Sequence, residues 1–411
     1  TLLGCLLYDP ERSVADLVRE HQRWAEQHAT FAPATLKTEV SDSRRLRIGY
    51  VSPDFRNHAV ACFLEPILRC HSREVVEVFC YAEVRAPDEM TQHLERLSDH
   101  WRSTVGWTDE QMHQKIREDG IDVLVELAGH TAHQRLNVFG MRSAPVQVSY
   151  LGYPFSTGLS EIDYRLSDPI LFSPEEADLC PEELVALPKC FCCFAPLHDK
   201  PVSLDLPEAK TGSVTFGSLH KLEKLNDRVL DLWCRVIQNV PDSRLLLCRN
   251  TLKGRVAEDF RSRLLRRGLR EEQFEFRSVK PVDKQHLDLY AEIDIALDSF
   301  PWSGHTTACE ALWMGVPTVT LKGSHTPSRL VASILEASGL PDLIAESEAE
   351  FLDIARRLAD DRERRSDLRE TIRGQMRCSP LCNSQDFTRE LEEVYLELWR
   401  RTCSARSGCE V

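Results

Sequence analysis

DSFPWSGHTTACEALWMGVPTVTL, residues 298–321, passes from the end of a buried strand through a Gly-His-Thr-Thr turn into a helix opening at about Thr306, then into a second strand. The first backbone N–H groups of such a helix have no intrahelical acceptor and point into the turn, where the helix dipole favours negative charge. Gly304 removes the side chain that would block close approach, His305 follows it, and the Thr306 and Thr307 hydroxyls add donors. Glu310 lies about one helical turn further on, placed to accept bonds from two neighbouring ribose hydroxyls while the turn holds a diphosphate. This is the outline of an anion cradle for a nucleotide sugar. The same residues also fit an ordinary strand-to-helix turn with a Thr N-cap.

Outward from this stretch, strands alternate with helical patterns. Ser213–Ser218, Ser243–Cys248, Gln273–Arg277, Ile293–Leu297 and Thr318–Leu321 read as strands, separated by helices such as Arg228–Ile237 and Val256–Leu265. The first half repeats the rhythm with strands at Arg45–Ser52, Val75–Ala82 and Asp122–Leu127, a helix running through Cys70 and another over Thr108–Asp119. Such alternation predicts βαβ units and parallel sheets. The rhythm pauses after Gly158–Asp168 in a loop-rich segment with prolines at 169, 174, 181, 188 and 196, and a Pro- and charge-rich junction falls at 198–212. The expectation is an α/β protein with two Rossmann-like domains, 41–200 and 201–380. A helical extension over 1–40 ends in a FAPAT linker, and a C-terminal helix within 381–411, apolar at Phe387, Leu391, Val394, Tyr395, Leu398 and Trp399, is expected to pack back across the domains.

Composition bounds the function. A chain of 411 residues with 42% hydrophobic residues can bury a large core. Its formal net charge of −14 opposes nonspecific binding to a phosphate backbone, so nucleic acid is not an expected partner. No apolar run approaches the length of a membrane span, and the N-terminus lacks the basic region and cleavage site of a signal peptide, which makes the cytoplasm the default location. A chain opening at Thr1 without an initiator Met reads as a fragment or processed product. The 15 cysteines are scattered apart from Cys190, Cys192 and Cys193, with no partner pair to complete a zinc site, so buried free thiols are expected and no metal.

Three further places carry candidate chemistry. The turns YVSPDFRNH, ending at His58, and ELAGHT, with His130 and Thr131, both lie beyond the carboxyl end of a predicted parallel strand, where open α/β sheets bind ligands. Gly129 frees the backbone before His130, and Thr131 can cap the next helix or bond a sugar hydroxyl. The alternative for each histidine is a hydrogen-bonded structural role. The loop LGYPFSTG, residues 151–158, can line the same crevice or simply connect. In the second half, Lys221 and Lys224 lie one helical turn apart in LHKLEKLN, on one face, positioned to neutralise charge on a departing diphosphate or merely solvated.

Taken in order, RIGYVSPDFRNH, DVLVELAGHTA, APVQVSYLGYPFSTG, IDYRLSDP, FGSLHKLEKLN, DSFPWSGHTTACEALWMGVP and SPLCNSQDFTRELEEVY resemble the catalytic region of the protein O-linked N-acetylglucosamine transferases and their SPINDLY-like O-fucosyltransferase relatives. The resemblance runs from about Leu46 to Trp399. It implies a GT-B fold, two Rossmann-like domains facing each other across a cleft, and inverting, metal-independent transfer from a nucleotide sugar to a Ser or Thr hydroxyl of a protein. By motif, Lys224 matches the lysine that stabilises the diphosphate leaving group and Lys221 a neighbouring donor contact. His305, Thr306 and Thr307 match the diphosphate-binding turn, Glu310 the acidic ribose-binding position, and His286 a residue beside the nucleoside base. His58 and His130 fall on first-domain turns that face sugar and acceptor, as candidates for the general base.

The departures concern the donor. Glu310 stands where the animal enzymes have Asp, and the spacing of KPVDKQH, residues 280–286, differs by one from their uridine-binding loop. At the position of His130 the animal enzymes also differ. The GHTT turn leans towards the acetylglucosamine enzymes, so the reading is transfer from UDP-GlcNAc. The alternatives are a GDP-fucose-dependent O-fucosyltransferase and a catalytically silent interaction module with the same fold. Family members usually carry tetratricopeptide repeats ahead of this region, and residues 2–29 look like the tail of that connection.

Overall fold

The computed structural model describes residues 2–29, 44–278 and 285–407; the FAPAT linker lies outside them. It divides into two compact units, Thr1–Leu6 with Arg12–Ala195 and Asn383–Val411, and Leu7–Glu11 with Pro196–Cys382.

The first unit is built on seven strands: β1 Leu46–Ser52, β2 Val76–Ala82, β3 His100–Ser103, β4 Val123–Glu126, β5 Val146–Ser149, β6 Tyr164–Ser167 and β7 Glu183–Ala186. They pair in parallel in the order β3-β2-β1-β4-β5-β6-β7, with Tyr50 of β1 beside Cys80 and Val125. β1, β2 and β4 are buried along almost their whole length, as a sheet covered on both faces requires. The segment expected to be loop-rich holds β7 and the helix Pro174–Leu179, and β6 lies just ahead of it. Both strands are four residues long and partly polar. Buried Arg165 of β6 pairs with Glu176, which lets a charged residue occupy a sheet interior that apolar patterning does not reveal.

The second unit has six strands: β8 Thr215–Ser218, β9 Arg244–Cys248, β10 Phe274–Arg277, β11 Ile295–Leu297, β12 Thr318–Leu321 and β13 Ile344–Ala345, parallel in the order β10-β9-β8-β11-β12-β13. The two-residue β13 is too short for any periodicity and was not expected. Both sheets start with the same doubly wound order. The winding direction therefore reverses between β1 and β4 in the first sheet and between β8 and β11 in the second, opening a crevice at the carboxyl ends of those strands.

Helices complete the units. The N-terminal extension is two helices, Leu2–Leu6 and Val14–His28, broken around Asp9-Pro10; the second is capped by the Ser13 hydroxyl, which accepts the Asp16 N–H at 3.1 Å. Pro66 sits inside the helix Ala61–Cys70 and cannot donate to the Cys62 carbonyl, which instead accepts the Ala195 N–H at 2.8 Å. The C-terminal helix, Ser384–Ser407, packs on Ala61–Cys70 and on β5. A buried Glu392 fixes it: one carboxylate oxygen accepts both His71 Nδ1 and the Ser72 N–H at 2.8 Å, while the Tyr50 hydroxyl donates to His71 Nε2 at 2.9 Å. No described helix is long and apolar enough to cross a membrane. Glu392→Ala strands the buried His71 donor and the partly buried Ser72 N–H and should cost about 1–3 kcal/mol, read as an earlier unfolding transition in urea; an unchanged midpoint would show that this bond does not hold the helix.

Candidate functional site

The carboxyl ends of β8 and β11 carry most of the residues singled out in the second unit. Asp298 follows β11 directly and is buried. Its Oδ1 accepts the Gly304 N–H at 2.7 Å, folding the intervening residues into a closed turn, and its Oδ2 accepts the Thr320 hydroxyl of β12 at 2.7 Å. The Ser218 hydroxyl at the end of β8 bonds His220 Nδ1 at 2.7 Å, and His220 Nε2 lies 3.0 Å from Asp298 Oδ1. A Cβ on Gly304 would lie 2.8 Å from His220 Nε2 and 2.9 Å from Thr307 Oγ1. The space this glycine frees is thus taken by the turn's own atoms rather than left for an approaching ligand. Neither Asp298 nor His220 was among the expected site residues, although a carboxylate directly after a buried strand was the available signal.

The helix opens at Thr306 as expected and runs to Trp313, with His305 as N-cap and no side-chain cap bond. Its ladder begins with the Ala308 and Cys309 N–H groups on the His305 carbonyl, so the Thr306 and Thr307 N–H groups precede it. The Thr307 carbonyl accepts the Tyr290 hydroxyl at 3.0 Å.

Lys221 and Lys224 are not on an α-helix. Leu222–Lys224 form a single 3₁₀ turn, and the helix begins only at Asp227, capped by the Asn226 side chain on the Val229 N–H at 3.0 Å. Asn competes for the backbone at a cap, which explains the later start. The two lysines consequently diverge: Lys221 is exposed, whereas Lys224 turns inward, its ammonium donating to the Ser303 carbonyl and lying 5.2 Å from the centroid of the Trp302 ring. Desolvation holds the Lys224 pKa down to about 7, opposed by Asp298 and reinforced by Lys221 and Arg249. Burial, then the Lys224 charge, brings His305 down to about 3, so its ring is neutral.

Four residues further along the same helix, Glu310 Oε1 accepts His286 Nε2 at 3.1 Å, while the buried His286 Nδ1 has no hydrogen-bond partner. The two residues assigned by resemblance to ribose and base are therefore neighbours. Of the KPVDKQH segment, residues 280–284 lie outside the described residues.

The first unit presents a second Gly-His-Thr turn at its own reversal point. Glu126 ends β4, and its two carboxylate oxygens accept the Ala128 and Gly129 N–H groups at 2.7 Å. Burial drives its pKa up to about 7, against the pull of those two bonds. Gly129 has φ +50°, and a Cβ there would lie 2.2 Å from Tyr153 Cβ. His130 is buried, donates from Nε2 to the Thr157 carbonyl at 2.8 Å, and packs against His21, Trp24 and Tyr153. Thr131 is exposed and does not cap the following helix, Leu136–Gly140, whose N-cap is Arg135. His58 is only half-buried; its Nδ1 accepts the Val60 N–H at 3.3 Å and lies 3.7 Å from Asp54 Oδ2. The 151–158 loop is clamped by buried Glu182, which accepts the Ser156 and Thr157 hydroxyls and the Thr157 N–H, each at 2.6 Å. Each described cysteine is a free thiol, and among the described residues no group of three His, Cys, Asp or Glu side chains gathers as a metal site.

Two parallel-sheet α/β units with helical additions define a GT-B glycosyltransferase fold. The lipopolysaccharide outer core galactosyltransferase WaaB shares it at a TM-score of 0.54 and 13% identity, over 86% of this chain and 99% of that one. The sequence profile of glycosyl transferase family 41 matches residues 26–200 and 202–391, and the chain belongs to that family. It is 37% identical over 394 residues to the probable UDP-N-acetylglucosamine peptide N-acetylglucosaminyltransferase SPINDLY of Solanum lycopersicum, covering 94% of this chain and 42% of the tomato protein. The chain thus spans less than half the length of that relative. A point variant of the Thermobaculum terrenum O-GlcNAc transferase superposes at a TM-score of 0.91 with 35% identity, over 98% of this chain and 78% of that one.

The buried imidazoles set an acid limit. Burial lowers His21 to about 4 and His130 to about 3, both below the ordinary value of 6.5. As pH falls below about 6.5 the unfolded chain takes up these protons first, so their contribution to stability declines down to about pH 3. Glu126, raised in the folded state, acts in the opposite sense between about pH 7 and its ordinary value. His130→Gln, which keeps a donor for Thr157, should flatten the loss of thermal stability between pH 7 and pH 5; an unchanged slope would remove His130 from this account.

Proposed function

We propose that this chain is the catalytic region of a protein O-glycosyltransferase that moves N-acetylglucosamine from UDP-GlcNAc to Ser or Thr hydroxyls of proteins, with inversion and without a catalytic metal. The observation that carries the reading is the inward-turned Lys224 beside the Thr306 helix N-terminus, one helical turn from the His286–Glu310 pair, at the reversal point of the second sheet. The names of the tomato and Thermobaculum relatives support the donor and the acceptor class.

In this reading the Thr306 and Thr307 N–H groups receive the diphosphate, and Glu310 accepts the ribose hydroxyls, with His286 beside the base. The acceptor oxygen bonds to the anomeric carbon as the bond from that carbon to the diphosphate breaks. Lys224 and the helix N-terminus, rather than a metal ion, offset the charge that builds on the departing diphosphate. A bound diphosphate favours the ammonium form of Lys224, which raises its pKa when donor is present. The first unit serves the acceptor. His58, partly exposed, is the base candidate with access, while His130 is buried against His21, Trp24 and Tyr153. Loss of the acceptor proton late in the transition state lowers the demand on any base.

Lys224→Ala should lower turnover by roughly a hundredfold to a thousandfold with little change in melting temperature, and wild-type turnover in that variant would remove the mechanism. Because Lys224 in the free protein titrates near 7, kcat/KM should decline as pH rises above that value while the ammonium is lost. A flat alkaline limb would show another group carrying the charge. Glu310→Ala should chiefly raise donor KM, since ribose contacts serve ground and transition states alike. The donor itself is read by thermal shift with UDP against GDP, where a ligand at a hundred times its Kd adds about 2.7 kcal/mol. Selective stabilisation by GDP would replace UDP-GlcNAc with GDP-fucose, and response to neither would favour the silent module.

A further inference from the structure

The residues Leu7–Glu11 belong to the second unit, although those on both sides of them in sequence, Thr1–Leu6 and Arg12 onward, belong to the first. Tyr8 stacks on Trp302 with ring centroids 4.9 Å apart and planes inclined by 21°. The Asn226 amide, which caps the helix behind Lys224, donates to the Phe300 carbonyl at 2.7 Å and reaches the Tyr8 carbonyl at 3.5 Å. The indole so held is the one that the Lys224 ammonium faces at 5.2 Å. We propose that Tyr8 is a positioning residue for Lys224: by stacking on Trp302 it fixes the indole wall against which the ammonium is set beside the cradle.

The inference rests on the reading that Lys224 serves the leaving group. An ammonium half withdrawn from water gains from an aromatic face, and that gain depends on the ring staying in place. Trp302 is itself half-buried and lies in the turn between Asp298 and Gly304, so a ring stacked on its face limits where the indole can go. The charged and titratable groups around Lys224 are Asp298, Lys221, Arg249, His220 and His305; of these Asp298 alone favours the ammonium. With the indole displaced, water replaces part of the wall. The ammonium is then better solvated and more easily kept protonated, but no longer aimed.

The test compares Tyr8→Ala, Tyr8→Phe and Lys224→Ala with the wild type. It follows nucleoside diphosphate release from whichever of UDP-GlcNAc and GDP-fucose the thermal shift selects, with a fixed pool of lysate proteins as acceptor. Tyr8→Ala should lower kcat roughly three- to tenfold with donor KM within about twofold. Its alkaline limb in kcat/KM should move to higher pH, because desolvation is what holds Lys224 near 7. Tyr8→Phe, which keeps the stack, should restore both. A kcat and pH profile unchanged in Tyr8→Ala, or a loss that Tyr8→Phe does not restore, would overturn the role of Tyr8 while Lys224→Ala remains inactive. Wild-type turnover in Lys224→Ala would overturn the leaving-group assignment and this inference with it. If Tyr8→Ala melts below the assay temperature, Tyr8→Leu, apolar but unable to stack, gives the same readout.

Discussion

Asp298 is a carboxylate buried at the end of a strand, and such a group persists only if its oxygens are well bonded. Its partners are the Gly304 N–H, the Thr320 hydroxyl and the nearby His220 ring, so β8, β11, β12 and the GHTT turn converge on one side chain. Among the charged groups around Lys224, this carboxylate is the one that opposes its deprotonation. Cradle geometry and cradle charge therefore have a common origin, and the helix from Thr306 is aimed by a bond made outside it.

The first unit repeats this device. Glu126 ends β4 and binds the N–H of Gly129, as Asp298 follows β11 and binds the N–H of Gly304; each glycine is followed by a neutral, buried-type histidine and a threonine. The two turns have nevertheless been put to different use. At Gly304 the histidine stands at the N-cap position of a helix whose first N–H groups, on Thr306 and Thr307, precede its ladder. At Gly129 the histidine is absorbed into an aromatic cluster with the helix Val14–His28, and the turn's threonine is left on the surface.

Much of this was legible in the chain. The apolar runs of β1, β2, β4, β8, β9 and β11, and the start of the Thr306 helix, follow from patterning and capping preferences that tertiary context reinforces. What escaped was decided by specific side-chain pairing, capping and element length, which periodicity does not carry. β6 hides because buried Arg165 needs Glu176 to be tolerable, and β13 because two residues carry no period. The lysine pair read as helical because spacing alone cannot see that Asn226 claims the cap. Tyr8 gave no motif, and His220 lay unremarked within FGSLHKLEKLN; both matter through what they touch, at positions 294 and 78 residues away in the chain, Trp302 and Asp298.

Pro66 has a consequence that reaches beyond its own helix. A helix with an internal proline surrenders one carbonyl, and here that carbonyl, on Cys62, is taken by Ala195, the last residue before the chain crosses into the second unit at Pro196. The crossing point is thereby moored to the body of the first unit by a bond that an ordinary helix would have kept for itself. The proline thus acts as a molecular cleat: its local defect in the helix becomes the fastening from which the rest of the polypeptide departs.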